Sequence, residues 1–167
     1  MNKKVERNYL EISSLEDFKD SFYNSDKHSV QLVDPVDFQL NKFFYKNVGK
    51  NHHWVDRLVW TEKIWIEYVS DEKVQTYVLK VNEDLAGYFE LILHSKLNEV
   101  EIAYLGLLSE YQNKKLGSYI LSAAIKYSFL NKPKRVWVHT CSLDHKNALN
   151  NYISRGMKIF KTETVLL

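Results

Sequence analysis

The sequence predicts a mixed α/β domain, with a largely antiparallel mixed sheet flanked by helices on both faces. Three observations lead there. Val74–Val81 and Gly87–His94 alternate apolar and polar residues on either side of Asn82-Glu83-Asp84, which is hairpin turn chemistry. Val100–Leu108 is a third strand-like run; a short cationic loop follows it, and then Ile120, Leu121, Ala124, Ile125 and Ser128 fall at helical spacing. After Pro133 the pattern becomes strand, helix, strand, over Arg135–Cys141, His145–Arg155 and Lys158–Leu166. A meander followed by crossover units implies a mixed sheet covered on both sides.

The remaining elements are justified in chain order. Val5–Ile12 has strand patterning, and Ser14 stands three residues before Asp17, which reads as a helix start. Ser29–Val33 alternates as a short strand. Asp34-Pro35 offers a capping carboxylate and a proline at a first helical position; Phe38, Phe43, Phe44 and Val48 supply an apolar face, and Gly49 closes the helix. Asn51–Trp65 is unlike the rest, with three tryptophans, two histidines and an arginine in fifteen residues. Thr61-Glu62-Lys63 then starts a second amphipathic helix reaching Val69. Asp144 is placed to cap the helix from His145, and Gly156 to end it.

Composition bounds the function classes. At 167 residues, 45% hydrophobic and 26% charged, the chain reads as one globular domain over residues 1–167. A net charge of +2 gives no general attraction to nucleic acid or to an anionic membrane. No apolar run approaches the ~20 residues of a membrane span, and the basic N-terminus leads into no apolar signal core. A cytoplasmic location is the expectation. Cys141 is the only cysteine, which excludes a disulfide framework and a cysteine-based zinc site; His52-His53 has no third ligand nearby, so no metal is expected. Oligomeric state is open, a homodimer included.

The chemistry concentrates between Val100 and Asn131. A strand, a cationic loop and a helix N-terminus together make an anion site, because the first N–H groups of a helix lack internal partners and the dipole adds positive charge. Gln112-Asn113-Lys114-Lys115-Leu116-Gly117 resembles the pyrophosphate loop of the GNAT N-acetyltransferase superfamily, with Lys115 in the place of the first glycine. Glu101-Ile102-Ala103-Tyr104-Leu105-Gly106-Leu107 resembles the family's preceding strand. Val136–Met157 resembles its C-terminal motif, with Tyr152 at the family's tyrosine, Gly156-Met157 at its Gly-Phe pair, and His145 where the family often has Asn. The stretch His53-Trp54-Val55-Asp56-Arg57-Leu58-Val59-Trp60 is similar to an uncharacterised bacterial subgroup of that superfamily. The resemblance covers residues 74–167 well and the first seventy in general layout.

The resemblance implies the GNAT fold and transfer of an acetyl group from acetyl-CoA to a primary amine, on a small molecule or a peptide. It implies that the backbone of Leu105, Gly106 and Leu107 pairs with pantetheine. It places the pyrophosphate on Gln112 and on Asn113, Lys114, Lys115, Leu116, Gly117 and Ser118, with His145 as a further cofactor contact. Glu101 takes the position of a general base and Tyr152 that of the acid that protonates the departing thiolate. The residues themselves leave other readings open. Glu101 can be a solvent-facing strand residue, with Glu99 on the same face in reserve and His139 as another base; Tyr152 can be a hydrogen-bonded core tyrosine. Trp54, Trp60 and Trp65 can wall an acceptor pocket or offer a cation–π surface to an amine, with Arg57 clamping a substrate carboxylate, or the tryptophans can be core. At Lys115 a negative φ would leave an ammonium for a phosphate, whereas a positive φ would cost ~1 kcal/mol. A non-catalytic module that binds acyl-CoA or a partner through the aromatic stretch is the alternative.

Overall fold

The computed structural model describes residues 2–21, 23 and 25–167. The elements run β1 (Lys4–Ile12), β2 (His28–Leu32), α1 (Phe38–Gly49), α2 (Glu62–Val69), β3 (Val74–Val81), β4 (Asp84–His94), β5 (Glu99–Leu107), α3 (Leu116–Phe129), β6 (Arg135–Cys141), α4 (Ala148–Ser154) and β7 (Lys158–Leu166). Single 3-10 turns lie at Leu15–Asp17 and Ser109–Tyr111. The strands form one sheet in the order β2-β3-β4-β5-β6-β1-β7, in which only β5 and β6 run parallel. The expected mixed, largely antiparallel sheet is therefore present.

Local differences from the sequence reading have local causes. The helix expected after Ser14 is only a 3-10 turn, in which Ser14 accepts from Glu16 N–H and nothing beyond Asp17 continues the spiral. Helix α1 begins at Phe38 rather than at Pro35, because Asp37 is the residue whose carboxylate accepts the Leu40 N–H, at 3.1 Å. Helix α4 begins at Ala148, since Asp144 turns its carboxylate back to the Cys141 N–H, at 3.0 Å, and to the Thr140 hydroxyl. The β3–β4 turn has Asn82 and Glu83 both at positive φ, the two-residue geometry that matches strand twist, so β4 starts directly at Asp84.

Each face of the sheet carries its own core. Ile120, Leu121, Ala124 and Ile125 of α3 pack on Leu79, Phe89, Leu91, Ile102, Val136 and Val138, with Tyr152 of α4 in the same cluster. Phe44 and Val48 of α1 pack on Val78 and Tyr88 from the other side, and Phe44 and Tyr88 stack at 5.0 Å. Two glycines allow the loop after α1 to lie against the sheet. A Cβ at Gly49 would stand 2.5 Å from Trp54 Cβ, and one at Gly106 would overlap Val48 Cγ1. Gly49 ends α1 for packing reasons, not by a left-handed turn.

Under that loop lies a buried ion pair. Arg57 donates from Nη1 and Nη2 to the two carboxylate oxygens of Glu90, each at 2.8 Å. The Tyr68 hydroxyl donates to Glu90 Oε2 at 2.8 Å, and Asn41 Nδ2 donates to Glu90 Oε1 and to Thr76. The guanidinium carbon lies 4.3 to 4.9 Å from the ring centroids of Tyr68, Tyr104 and Trp60. Burial opposes the charge on Arg57, but the hydrogen bonds and charge of Glu90 outweigh it and hold the guanidinium more firmly protonated than a free one. Such a pair adds little net stability over apolar residues, but removing one partner strands the other. Glu90→Gln is expected to destabilise the fold by about 3–5 kcal/mol in urea unfolding, and Arg57→Met with Glu90→Leu to recover most of that loss.

Candidate active site

Strands β5 and β6 pair only over Glu99–Arg135, Val100–Val136 and Glu101–Trp137. Beyond Glu101 the two strands part. A bulge sits at the same place: Leu91 pairs with Ile102 and Glu90 with Tyr104, which leaves Ala103 as an extra residue on β5. The gap opens into a cavity of about 1300 Å³. Its walls are β5 from Glu101 to Leu107, Val138, His139 and Cys141 of β6, the start of α3, the loop and first turns of α4, and the loop around Trp54.

At one end lies the start of α3. Lys115 occupies the N-cap position with φ 63° and ψ 9°, and no side chain caps the helix. Asn113 is also left-handed, at φ 61°. Gln112, Asn113, Lys115, Gly117 and Ser118 all face the cavity. At Gly117 a Cβ would meet nothing nearer than Asn151 Nδ2, at 3.9 Å, so the helix backbone is open on that side. An uncapped helix start beside a cation and an open backbone suits a pyrophosphate, and the β5 edge without a strand partner suits an extended amide chain. These residues fit acetyl-CoA. Two expected contacts differ in detail. The Leu116 side chain is core, 3% exposed, leaving only its N–H for a ligand, and the Lys114 ammonium lies over the Tyr111 ring at 5.7 Å, off the cavity wall. His145 faces the cavity, with Nδ1 accepting the Asn147 N–H at 3.2 Å. The sequence reading passed over Asn151, whose Nδ2 donates to the Gly117 carbonyl at 3.0 Å and ties α4 to the loop.

Glu101 stands at the mouth of the gap, its side chain 15% exposed, with His94 Nε2 2.9 Å from Oε1. The tautomer decides which atom donates. His94 in turn stacks on Trp137 at 5.9 Å. Glu99, the reserve base, is taken up by Arg135, which bridges it at 2.9 Å and Glu11 at 2.7 Å. His139 opens on the cavity, but the surrounding walls and the Arg7 guanidinium lower its pKa. Tyr152 reaches the same cavity from α4, 8% exposed; burial pushes its hydroxyl above the ordinary tyrosine value and the Asp144 carboxylate adds to the effect, so it keeps its proton at neutral pH.

On the far side Trp54 packs edge-on against Tyr104 at 4.8 Å, and Trp60 covers the Arg57 cage; both reach the cavity. Trp65 does not join that wall: it is core, 1% exposed, and off the cavity lining. The expected role of Arg57 as a substrate clamp is corrected by the geometry, since Glu90 already holds its fork and it is 5% exposed. Among the described residues no group of three His, Cys, Asp or Glu could hold a metal, and no helix is long and apolar enough to cross a membrane.

Comparison with known proteins agrees with this architecture. The model of the acetyltransferase (GNAT) family matches residues 38–157, so the chain belongs to the GNAT acetyltransferase family. No curated protein matches in sequence. A GCN5-related N-acetyltransferase from Sphaerobacter thermophilus superposes with a TM-score of 0.73 at 11% identity, over 99% of this chain and 51% of that one. A spermidine N-acetyltransferase from Vibrio cholerae, solved with CoA and spermine, gives 0.63 at 15% identity, over 85% of this chain and 96% of that one. The ribosomal-protein-S18-alanine N-acetyltransferase from Escherichia coli gives 0.60 at 17%, over 77% and 76%. The chain spans 51 to 63% of the length of the first four solved structures it matches. At these identities the likeness is one of fold.

The left-handed Lys115 yields a direct test. Lysine there carries ~1–2 kcal/mol of backbone strain, more than the ~0.5–1 kcal/mol of extra unfolded-state entropy that glycine brings. Lys115→Gly is expected to raise stability by up to about 1 kcal/mol in urea unfolding, whereas Lys115→Ala, which keeps the strain, leaves stability within ~0.5 kcal/mol.

Proposed function

We propose that this chain is an acetyl-CoA-dependent N-acetyltransferase that moves the acetyl group directly to a primary amine, with residues 1–167 as its acetyltransferase domain. The observation that carries the reading is convergence: Glu101, the Tyr152 hydroxyl and the uncapped start of α3 open on one cavity, at the point where β5 and β6 part. Two of the structures that share the fold are named as N-acetyltransferases of a polyamine and of a protein's alanine, which supports an amine acceptor.

Bound acetyl-CoA would supply a thioester whose C–S bond is exchanged for a C–N bond to the amine. The residues have separate tasks. Gln112 and the N–H groups from Asn113 to Ser118 hold the pyrophosphate, and the free edge of β5 from Leu105 to Leu107 aligns the pantetheine. An alkylammonium near pKa ~10.4 is inert until it loses a proton, and Glu101 takes that proton. His94, bonded to Glu101 and partly open to water, orients the carboxylate and passes the proton outward. N–H groups on the edge of β5 that lacks a strand partner would stabilise the charge that develops on the carbonyl oxygen. Tyr152, still protonated at neutral pH, donates to the departing sulfur and recovers its proton from solvent. The sum releases CoA as the thiol, the acetamide and one proton. Trp54 and Trp60 wall the acceptor side.

One observation favours a second reading, in which the fold binds acyl-CoA or a partner without catalysis: the strained, bulky Lys115 where phosphates would lie closest. Titration calorimetry with acetyl-CoA, paired with acetyl transfer to a panel of amines, separates the two. The enzyme reading expects binding by the native protein and turnover that falls about 10²–10⁴-fold in Glu101→Gln and in Tyr152→Phe with binding unchanged. Binding seen only in Lys115→Gly, with no turnover, would move the conclusion to the second reading.

A further inference from the structure

The chain has four arginines, and they fall into two classes. Arg57 and Arg135 are held by carboxylates, Glu90 for the first and Glu11 with Glu99 for the second. Among the described residues, no carboxylate holds Arg7 or Arg155. Both line the cavity, and both carry shielded N–H groups with no partner: Nε of Arg7, and Nε and Nη1 of Arg155. Their places differ. Arg155 closes α4, on the side of the sheet that carries α3. Arg7 lies on β1 opposite Cys141, and by strand alternation it shares a sheet face with Tyr9, His139 and Cys141. Arg7, His139 and Glu101 all line the cavity, and the charges of Arg7, Glu101, Asp144 and Glu163 all act on His139. Lys3, two pairs of positions along the same face, also lines the cavity.

The acid paired with Arg7 across the sheet feels its charge but forms no ion pair with it. Glu163 is its cross-strand partner on β7, but Tyr9 Oη donates to Glu163 Oε1 at 2.6 Å and Lys161 Nζ stands 3.1 Å from Oε2. The Nε of Arg7 is closed off, so a ligand in the cavity would meet the outer guanidinium nitrogens, which no carboxylate holds among the described residues. The planar fork of arginine matches a carboxylate in two parallel hydrogen bonds. On the same cavity Glu101 offers a negative charge for an ammonium. We therefore propose that the acceptor is an amine that also bears a carboxylate, an amino acid or a compound of that class, with Arg7 binding the carboxylate while Glu101 faces the amine. The assignment rests on the acetyl-transfer reading for the amine and on Arg7 for the carboxylate. It transfers to Arg7 the role that sequence alone suggested for Arg57. A polyamine would bring a second positive charge towards Arg7 and Lys3, so the site selects against it.

The test pairs each amino acid with its own decarboxylated amine: lysine with cadaverine, ornithine with putrescine, phenylalanine with phenethylamine. Steady-state acetyl transfer is measured for the native protein, Arg7→Met and Arg7→Lys. The expected result is kcat/KM at least tenfold higher for the amino acid in at least one pair. Arg7→Met raises KM for that amino acid at least tenfold while leaving the matched amine within about twofold, and Arg7→Lys restores part of the difference. Equal or better use of the decarboxylated partner in every pair overturns the proposal, and so does an equal loss for both members in Arg7→Met. Calorimetry of the same amino acids with the CoA complex keeps the two readings apart. Amino-acid binding that depends on Arg7, without acetyl product, refutes the transfer reading and upholds the carboxylate site. Acetyl transfer to amines with no dependence on Arg7 does the reverse.

Discussion

The parting of β5 from β6 is the constraint on which the site depends. Two parallel strands in register would bury their edges in each other and leave no room between them. Here the ladder holds for three residue pairs and stops at Glu101, where Ala103 adds an unpaired residue to β5. The bulge increases local twist and turns the rest of β5 towards β4 alone. Several consequences follow from that single irregularity. The edge of β5 from Ile102 onward is left without a strand partner, Glu101 stands where the gap begins, and the start of α3 and the first turns of α4 flank the opening. A buried edge with open hydrogen-bonding groups is unfavourable unless something occupies it. The gap is therefore a stable feature only beside a rigid frame.

That frame comes from both faces of the sheet. On one, α3 packs the buried side chains of Ile120, Leu121, Ala124 and Ile125 beneath β4, β5 and β6. On the other, the pair of Arg57 and Glu90 locks the loop after α1 to the middle of β4 and places Tyr104 against the guanidinium. The two supports differ in character. Apolar packing by α3 is non-directional and tolerates small shifts, whereas a bidentate ion pair ringed by aromatic faces fixes one arrangement. Because Tyr104 follows the bulge by a single residue, the charged cage holds the geometry of the β5 edge as well as that of the loop.

Much of this was legible in the sequence. The hairpin over Asn82 and Glu83, the strands Val74–Val81, Arg135–Cys141 and Lys158–Leu166, and the cationic loop before α3 all follow from patterning and turn chemistry, because those signals are local. Helix starts were harder. Asp34 and Asp144 have the right chemistry for caps, but Asp37 and the β6 turn claim the positions, and only the fold decides between neighbouring carboxylates. The site was read in part. Glu101 and Tyr152 were named from the family's pattern, and both face the cavity. His94 was missed although hairpin arithmetic contained it, since β4 returns opposite β5 with His94 against Glu99, one step from Glu101. Arg57 and Arg7 were beyond reach. One comes to Glu90 and the other to the cavity only through long-range pairing, and nothing in either local sequence tells a committed guanidinium from an open one.

The same pairing explains why a nearly neutral chain has a cationic cavity. A net charge of +2 gives only a weak overall field to steer anions. Several acids are engaged away from the cavity: Glu90 with Arg57, Glu11 and Glu99 with Arg135, and Glu163 with Tyr9 and Lys161. Along the cavity stand Lys3, Arg7, Lys115 and Arg155 as cations without an ion-pair partner among the described residues, and Asp56, Glu101 and Asp144 as acids. Charge in this protein is thus set by which side chains are paired, not by how many of each sign there are. Lys115 at the start of α3, the Glu101 carboxylate and the Arg7 guanidinium on one cavity complement a phosphate, an ammonium and a carboxylate.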